Sequence, residues 1–182
     1  NKFLMNTKSK VKNIKPLISI ITIAKSNIEE LNNTYESLKN IIKINKDIVE
    51  WIVILSGDFG KLEKKILNKH DNVIITHQEP KGIYYAMNSA ILLAKGKFTW
   101  FINGGDEIKK DNFKNLIFFL KFSSEDLNFF SVLIKRKNFI FTKNCLITNK
   151  NKLLGILARL KMPPHHQGII YKTKILKENL FN

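Results

Sequence analysis

Four short apolar runs rich in β-branched residues alternate with amphipathic segments of helical length, and this alternation constrains the fold more than any other feature. "LISIITIA" (17–24) follows Pro16 and reads as a buried strand. In "SNIEELNNTYESLKNII" (26–42), Ser26 or Asn27 can cap a helix and Glu29 and Glu30 fall in its first turn. Ile28, Leu31, Tyr35, Leu38 and Ile42 share one helical face there. "VEWIVILSG" (49–57) is a second strand, "DFGKLEKKILNKH" (58–70) a helix capped at Asp58, and "NVIITHQ" (72–78) a third strand. "GIYYAMNSAILLAKG" (82–96) is helical, with Ile83, Met87, Ala90, Ile91 and Ala94 inward and Gly96 as its stop. "KFTWFIN" (97–103) is the fourth strand. Parallel strands need crossover connections, so β-α-β-α-β-α-β implies a mostly parallel sheet with helices on both faces.

Beyond residue 108 the pattern is less regular. Residues 110–122 read as a helix, 128–144 as two strands around "KRKN", 151–161 as a short amphipathic helix or lid, and 162–182 as a Pro-Pro bend, a strand and a helix start. The length of 182 residues suits one domain, 1–182, with a nucleotide-fold-like front (1–108) and a more irregular, basic back (109–182). Cys145 is the sole cysteine, so no intrachain disulfide can form, and a reducing, cytoplasmic setting is expected. Lys or Asn interrupts every apolar stretch before it reaches membrane-spanning length, and the first fifteen residues lack a secretory apolar core, with Met5 a candidate start.

The formal charge is +16, unevenly spread: residues 1–108 carry 16 basic and 11 acidic side chains, residues 109–182 carry 15 and 4. The second part is therefore expected to face something anionic, such as phosphates or an acidic membrane surface at which the protein would be peripheral. Nucleic acid is not expected as a partner. Only Arg136 and Arg159 are arginines, and nucleic-acid readers rely on bidentate guanidinium contacts.

In an open parallel sheet, ligands bind beyond the carboxyl ends of the strands. Those ends are Ala24-Lys25-Ser26, Ser56-Gly57-Asp58, His77 through Gly82, and Asn103 through Glu107. Neither a Gly-x-Gly-x-x-Gly turn nor a Gly-Lys-Ser/Thr loop is present, which disfavours dinucleotide oxidoreductases and P-loop enzymes. A carboxylate at a strand end can instead hold a hard divalent ion that completes its shell with substrate phosphates, and Asp106 is placed to do so.

"GIYYAMN" (82–88), "AKG" (94–96) and "FINGGD" (101–106), in that order and spacing, resemble the family 2 glycosyltransferases, most closely a subgroup acting in bacterial surface-polysaccharide synthesis. The resemblance extends over 17–182. It implies the α/β, Rossmann-like GT-A fold and inverting, metal-dependent transfer from a nucleotide-diphospho-sugar to a glycan or lipid-linked acceptor. By that resemblance Asp106 is the metal-binding aspartate, holding Mn²⁺ or Mg²⁺ and serving catalysis. Ala24, Lys25 and Ser26 would lie against the nucleotide base, Asp58, Lys81 and Gly82 would contact the donor, and Asn103 would brace the Asp106 turn. His166, in the pair His166-Gln167, would serve on the acceptor side.

Three acidic positions of the family pattern differ. Leu55 stands where the second strand commonly ends in Asp, Pro80 precedes Lys81, and Tyr85 replaces the helix Asp. The family's usual catalytic base falls just after residue 182, so the chain reads as a domain cut short there, with Glu107 and His166 as candidates within it. The alternative reading is a degenerate, non-catalytic domain of this kind that binds nucleotide or a partner.

Overall fold

A computed structural model describes residues 15–136, 139–143 and 166–182. Cys145, residues 151–161 and His165 lie outside the described residues. The front follows the sequence pattern: β1 (Ile18–Lys25), α1 (Ile28–Ile44), β2 (Val49–Ser56), α2 (Gly60–Leu67), β3 (Val73–His77), α3 (Ile83–Leu93) and β4 (Phe98–Phe101). Next come α4 (Lys110–Phe122), β5 (Leu127–Phe129), β6 (Val132–Arg136) and β7 (Phe139–Lys143). After a 3₁₀ turn at His166–Gly168, β8 (Ile169–Lys172) and α5 (Thr173–Glu178) complete the described elements.

Six strands form one sheet in the order β3-β2-β1-β4-β8-β5. β1 to β4 are mutually parallel, and β8 runs antiparallel between β4 and β5. Alternation along each strand sends side chains to two cores. Ile18, Ile20, Trp51, Val53 and Leu55 meet Leu31, Tyr35, Leu38, Phe113 and Leu120 of α1 and α4 on one face. Ile21, Ile52 and Ile54 meet Ala86, Ala90, Ile91 and Leu176 of α3 and α5 on the other. Buried polar groups are paired across elements: Trp51 Nε1 donates to Thr22 Oγ1 (2.9 Å) and Thr99 and Thr173 share a 2.8 Å bond.

Local details sharpen or correct the sequence reading. Of the two caps the sequence offers for α1, Ser26 and Asn27, it is Asn27 that serves, its side chain accepting from Glu30 N–H at 3.1 Å. Asp58 lies one residue ahead of the α2 N-cap, Phe59, and folds an Asx turn by accepting Gly60 N–H at 2.8 Å. α3 ends at Leu93, with Ala94 as its C-cap, and Ile83 is exposed rather than inward. Gly96 serves a different purpose from a helix stop. A Cβ on it would stand 2.6 Å from Ser19 N and 2.8 Å from the Ile18 carbonyl carbon, so the turn into β4 packs directly on the β1 backbone. In 128–144 the two strands expected around "KRKN" are β6 and β7, and only 128–129, at the start of the stretch, belong to a third strand. β5 pairs with β8, and only β6 and β7 pair with each other.

Candidate active site

The order of the strands reverses direction of growth at β1, with β2 on one side and β4 on the other, so the crevice of an open sheet lies beyond the ends of β1 and β4. Both ends turn sharply there. Ser26 sits at φ 51°, a left-handed conformation that few non-glycine residues hold, while its N–H donates to Ser56 O at 3.0 Å. Facing it, Gly57 has φ 112°, and a Cβ at that position would come within 2.6 Å of Ser26 Oγ. Ala24 is buried against the β4 turn, its Cβ 3.7 Å from where a Cβ on Gly104 would stand.

After Phe101 the chain makes a tight loop whose backbone is tied to β1, through Ile102 N–H to Ile21 O (2.9 Å) and Gly104 N–H to Ile23 O (3.4 Å), and to α1. The hydroxyl of Thr34, fully buried, donates toward Asp106 O (2.9 Å) and Asn103 O (3.3 Å) and accepts from Gly105 N–H (3.0 Å). Gly105 N–H also reaches Glu30 O at 3.0 Å, and Ser37 Oγ accepts Ile108 N–H at 3.2 Å. With most of the loop's backbone held by β1 and α1, the Asp106 side chain reaches both the loop itself and the 3₁₀ turn. There Oδ2 accepts from Asn103 N–H (3.1 Å) and from Gln167 Nε2 (3.0 Å). Gln167 is fixed in turn, because Trp100 Nε1 donates to its carbonyl at 2.6 Å. Beside it Asn103 Nδ2 lies 3.0 Å from His166 Nε2, so with the amide donating that ring nitrogen is the acceptor.

Asp106, Asn103, His166 and Gln167 are thus gathered from β4 and from the 3₁₀ turn, residues more than sixty positions apart. The first-strand residues Ala24 and Ser26 border the same crevice. Lys25 is exposed at the end of β1, level with Ser56. Asp58 is exposed one residue past Gly57. Lys81 lies exposed before α3 with its Nζ 5.4 Å from the centre of the Tyr85 ring, and Gly82 is the N-cap of α3. Glu107 parts company with its neighbour. It lines a recess with Asn33, Glu36, Ser37 and Lys110, against α1 rather than His166. Leu55 is 0% exposed, pointing with Trp51 and Val53 into the α1 core.

This donor set suits one kind of cation site. Both hydrogen bonds to the Asp106 carboxylate among the described residues fall on Oδ2, leaving Oδ1 as the oxygen that can meet an ion. Among the described residues no group of three or more His, Cys, Asp and Glu side chains comes together. A protein-built cage is therefore not what these residues form. A hard divalent ion that takes one carboxylate oxygen and fills its shell from substrate phosphates fits them.

Thr34 and Trp100 were not singled out from sequence as parts of this site. The one available signal for Thr34 was its hydroxyl on the apolar face of α1, next to Tyr35 and one turn after Leu31. Trp100 sat in a strand where an indole looks like ordinary core.

The sequence profile described as glycosyl transferase family 2 matches residues 19–181. No curated protein matches the chain. Among solved structures, S. aureus TarS 1-349 superposes with a TM-score of 0.68 at 20% identity, over 91% of this chain and 50% of that one. The same TarS segment in complex with UDP-GlcNAc gives 0.67 at 22% identity, over 91% and 48%. Mannosyltransferase PcManGT from Pyrobaculum calidifontis, in complex with GDP-Man and Mn²⁺, gives 0.60 at 16% identity, over 93% and 48%. The chain spans about half the length of these proteins, and at such identities the likeness is one of fold.

Proposed function

The chain belongs to glycosyl transferase family 2 and has the GT-A fold, and from that premise we propose that it moves a sugar from a nucleotide-diphospho-sugar to a hydroxyl of a glycan or lipid-linked acceptor. The reaction is inverting and depends on Mn²⁺ or Mg²⁺, and its setting is the synthesis of a bacterial surface polysaccharide on the cytoplasmic side of the membrane. The observation that supports this reading is the Asp106 carboxylate beyond the end of β4, held through Oδ2 by Asn103 N–H and Gln167 Nε2, with neither of these bonds on Oδ1.

Ala24, Lys25 and Ser26 form the wall for the nucleotide base, with Asp58 at its edge. Lys81 and Gly82, at the start of α3, border the donor from the far side. A divalent ion at Asp106, when bound, neutralises charge developing on the departing nucleoside diphosphate. Asn103 keeps the turn closed and holds the lone pair of His166 Nε2 at the acceptor side. Once the acceptor hydroxyl displaces the Asn103 amide from Nε2, that nitrogen receives the hydroxyl's proton as its oxygen attacks the anomeric carbon.

A second reading, a domain that binds nucleotide without transferring sugar, is favoured by one observation. Leu55 is buried in the core, so no side chain from that position reaches the base. Thermal shift with a panel of nucleoside diphosphates and nucleotide sugars, with and without Mn²⁺, tests both readings. The transferase reading expects a Mn²⁺-dependent rise in melting temperature for one nucleotide, together with slow Mn²⁺-dependent hydrolysis of the matching donor. A shift without hydrolysis or transfer supports the second reading, and no nucleotide shift at all overturns both.

A further inference from the structure

Helix α4 carries an exposed aromatic face that nothing in the sugar-transfer reading uses. Its buried stripe is Phe113, Ile117 and Leu120. Phe118 and Phe122, one turn apart on the opposite side, are 67% and 76% exposed, and their rings lie 5.1 Å apart. Phe119 is 50% exposed and leans edge-on against Phe130. Large aromatic rings clustered in open water need a reason, because each leaves its apolar surface hydrated. Lys110, Lys114 and Lys121 are exposed along the flank next to these rings.

We propose that this face of α4 docks the protein on an anionic lipid surface, with Phe118 and Phe122 inserted below the headgroups and the lysines among them. Aromatic wedges beside a lysine flank are what an interfacial helix requires. The charge argues for this occupant over a second copy. A self-complementary contact would set the α4 lysines of one copy against those of another, in a chain whose formal charge is already +16. Negative groups near the face are few. Asp111 is exposed in the first turn of α4, Asp126 is paired with Lys172 at 3.0 Å, and Glu125 follows the helix end.

The placement also has a consequence for the site. α4 starts four residues after Asp106, so a helix lying flat on the surface brings the Asp106 loop down to headgroup level. A lipid-linked acceptor would meet the crevice there, and in that respect the inference rests on the transferase reading. Docking itself needs neither donor nor metal, so it can fail or hold independently.

The test is co-sedimentation of the full chain with vesicles of phosphatidylcholine alone and of phosphatidylcholine mixed with phosphatidylglycerol, at low and high salt, without nucleotide. The expected result is binding to the anionic vesicles that weakens with salt. Phe118→Ser/Phe122→Ser and Lys114→Gln/Lys121→Gln should each lower it by on the order of tenfold or more. Both variants should keep the parental melting temperature, since all four side chains are exposed. Undiminished vesicle binding by both variants would overturn the proposal, as would no vesicle binding by the parent. Light scattering showing a dimer that Phe118→Ser/Phe122→Ser dissolves, without vesicle binding, would assign the face to a second copy instead.

Discussion

The two ends of the sheet solve the same problem with different groups. At the amino end, the turn between α3 and β4 is held by a carboxylate. Glu50 Oε1, on a side chain 5% exposed, accepts from Ser19 Oγ (2.5 Å), Lys95 N–H (2.6 Å) and Gly96 N–H (3.0 Å). At the carboxyl end, the turn after β4 is held by a hydroxyl, that of Thr34, which binds three backbone groups from below. The difference decides what each acid can do. Glu50 is consumed by the fold, with its donors converging on one oxygen and Gly96 closing over it. Asp106 shares its turn with Thr34, and its two bonds to Asn103 N–H and Gln167 Nε2 both fall on Oδ2, so Oδ1 is the oxygen left for an ion.

Breaking each latch should therefore give different signatures. The largest stability effect is expected for Glu50→Ala, which takes the acceptor from the buried Ser19 hydroxyl and from Lys95 N–H and leaves Gly96 N–H with Ser19 Oγ alone (2.9 Å). The loss should be about 3 kcal/mol, read from denaturant unfolding. Its metal-dependent nucleotide response should survive at temperatures where the variant is folded. Thr34→Val should cost about 1–3 kcal/mol, because it removes three bonds to the Asn103–Asp106 loop while keeping the side-chain shape. Unlike Glu50→Ala, it should also weaken the Mn²⁺-dependent nucleotide shift, and Thr34→Ser should restore much of both. Equal effects of Thr34→Val and Glu50→Ala on the nucleotide response would erase the distinction between the two ends.

The smallest effect concerns neither latch and serves as a reference for global stability. Burial, with lesser contributions from Lys69 and Lys43 opposed by Asp71, holds the His70 imidazole below its ordinary pKa, where it meets the Tyr35 hydroxyl at 3.2 Å. The unfolded chain then binds the proton more readily than the folded one. His70 supports stability fully above the unfolded value of about 6.5, and that support declines as pH falls below it. His70→Gln should flatten this acid-side slope in denaturant unfolding, and an unchanged slope would remove His70 as its source.

The sequence made the four-strand front readable because each buried parallel strand is a continuous β-branched run and each helix has a distinct apolar stripe. The same pattern located the rim, and hence Asp106, without any geometry. What it could not show was how backbones approach one another. Gly96 looked like a helix stop because glycine often plays that part, yet its absent side chain matters for the contact with Ser19. In 128–144 the two strands around "KRKN" were legible and are β6 and β7, but the loss of 128–129 to β5 was not. The competition from β8, which captures β5, is a tertiary effect with no local mark. Thr34 was invisible for a related reason. A small polar residue on an apolar helix face is common, and only the fold reveals the backbone groups it meets.

The central claim is that one rim carboxylate, Asp106, joins a divalent ion to the donor diphosphate. Titration calorimetry of Mn²⁺ into the protein with its best-stabilising nucleoside diphosphate tests it most directly, comparing the parent with Asp106→Ala and Glu107→Ala. Asp106→Ala should abolish the nucleotide-dependent Mn²⁺ heat while leaving the melting temperature of the free protein within a few degrees, and Glu107→Ala should retain the heat. Mn²⁺ binding that persists in Asp106→Ala would contradict the assignment.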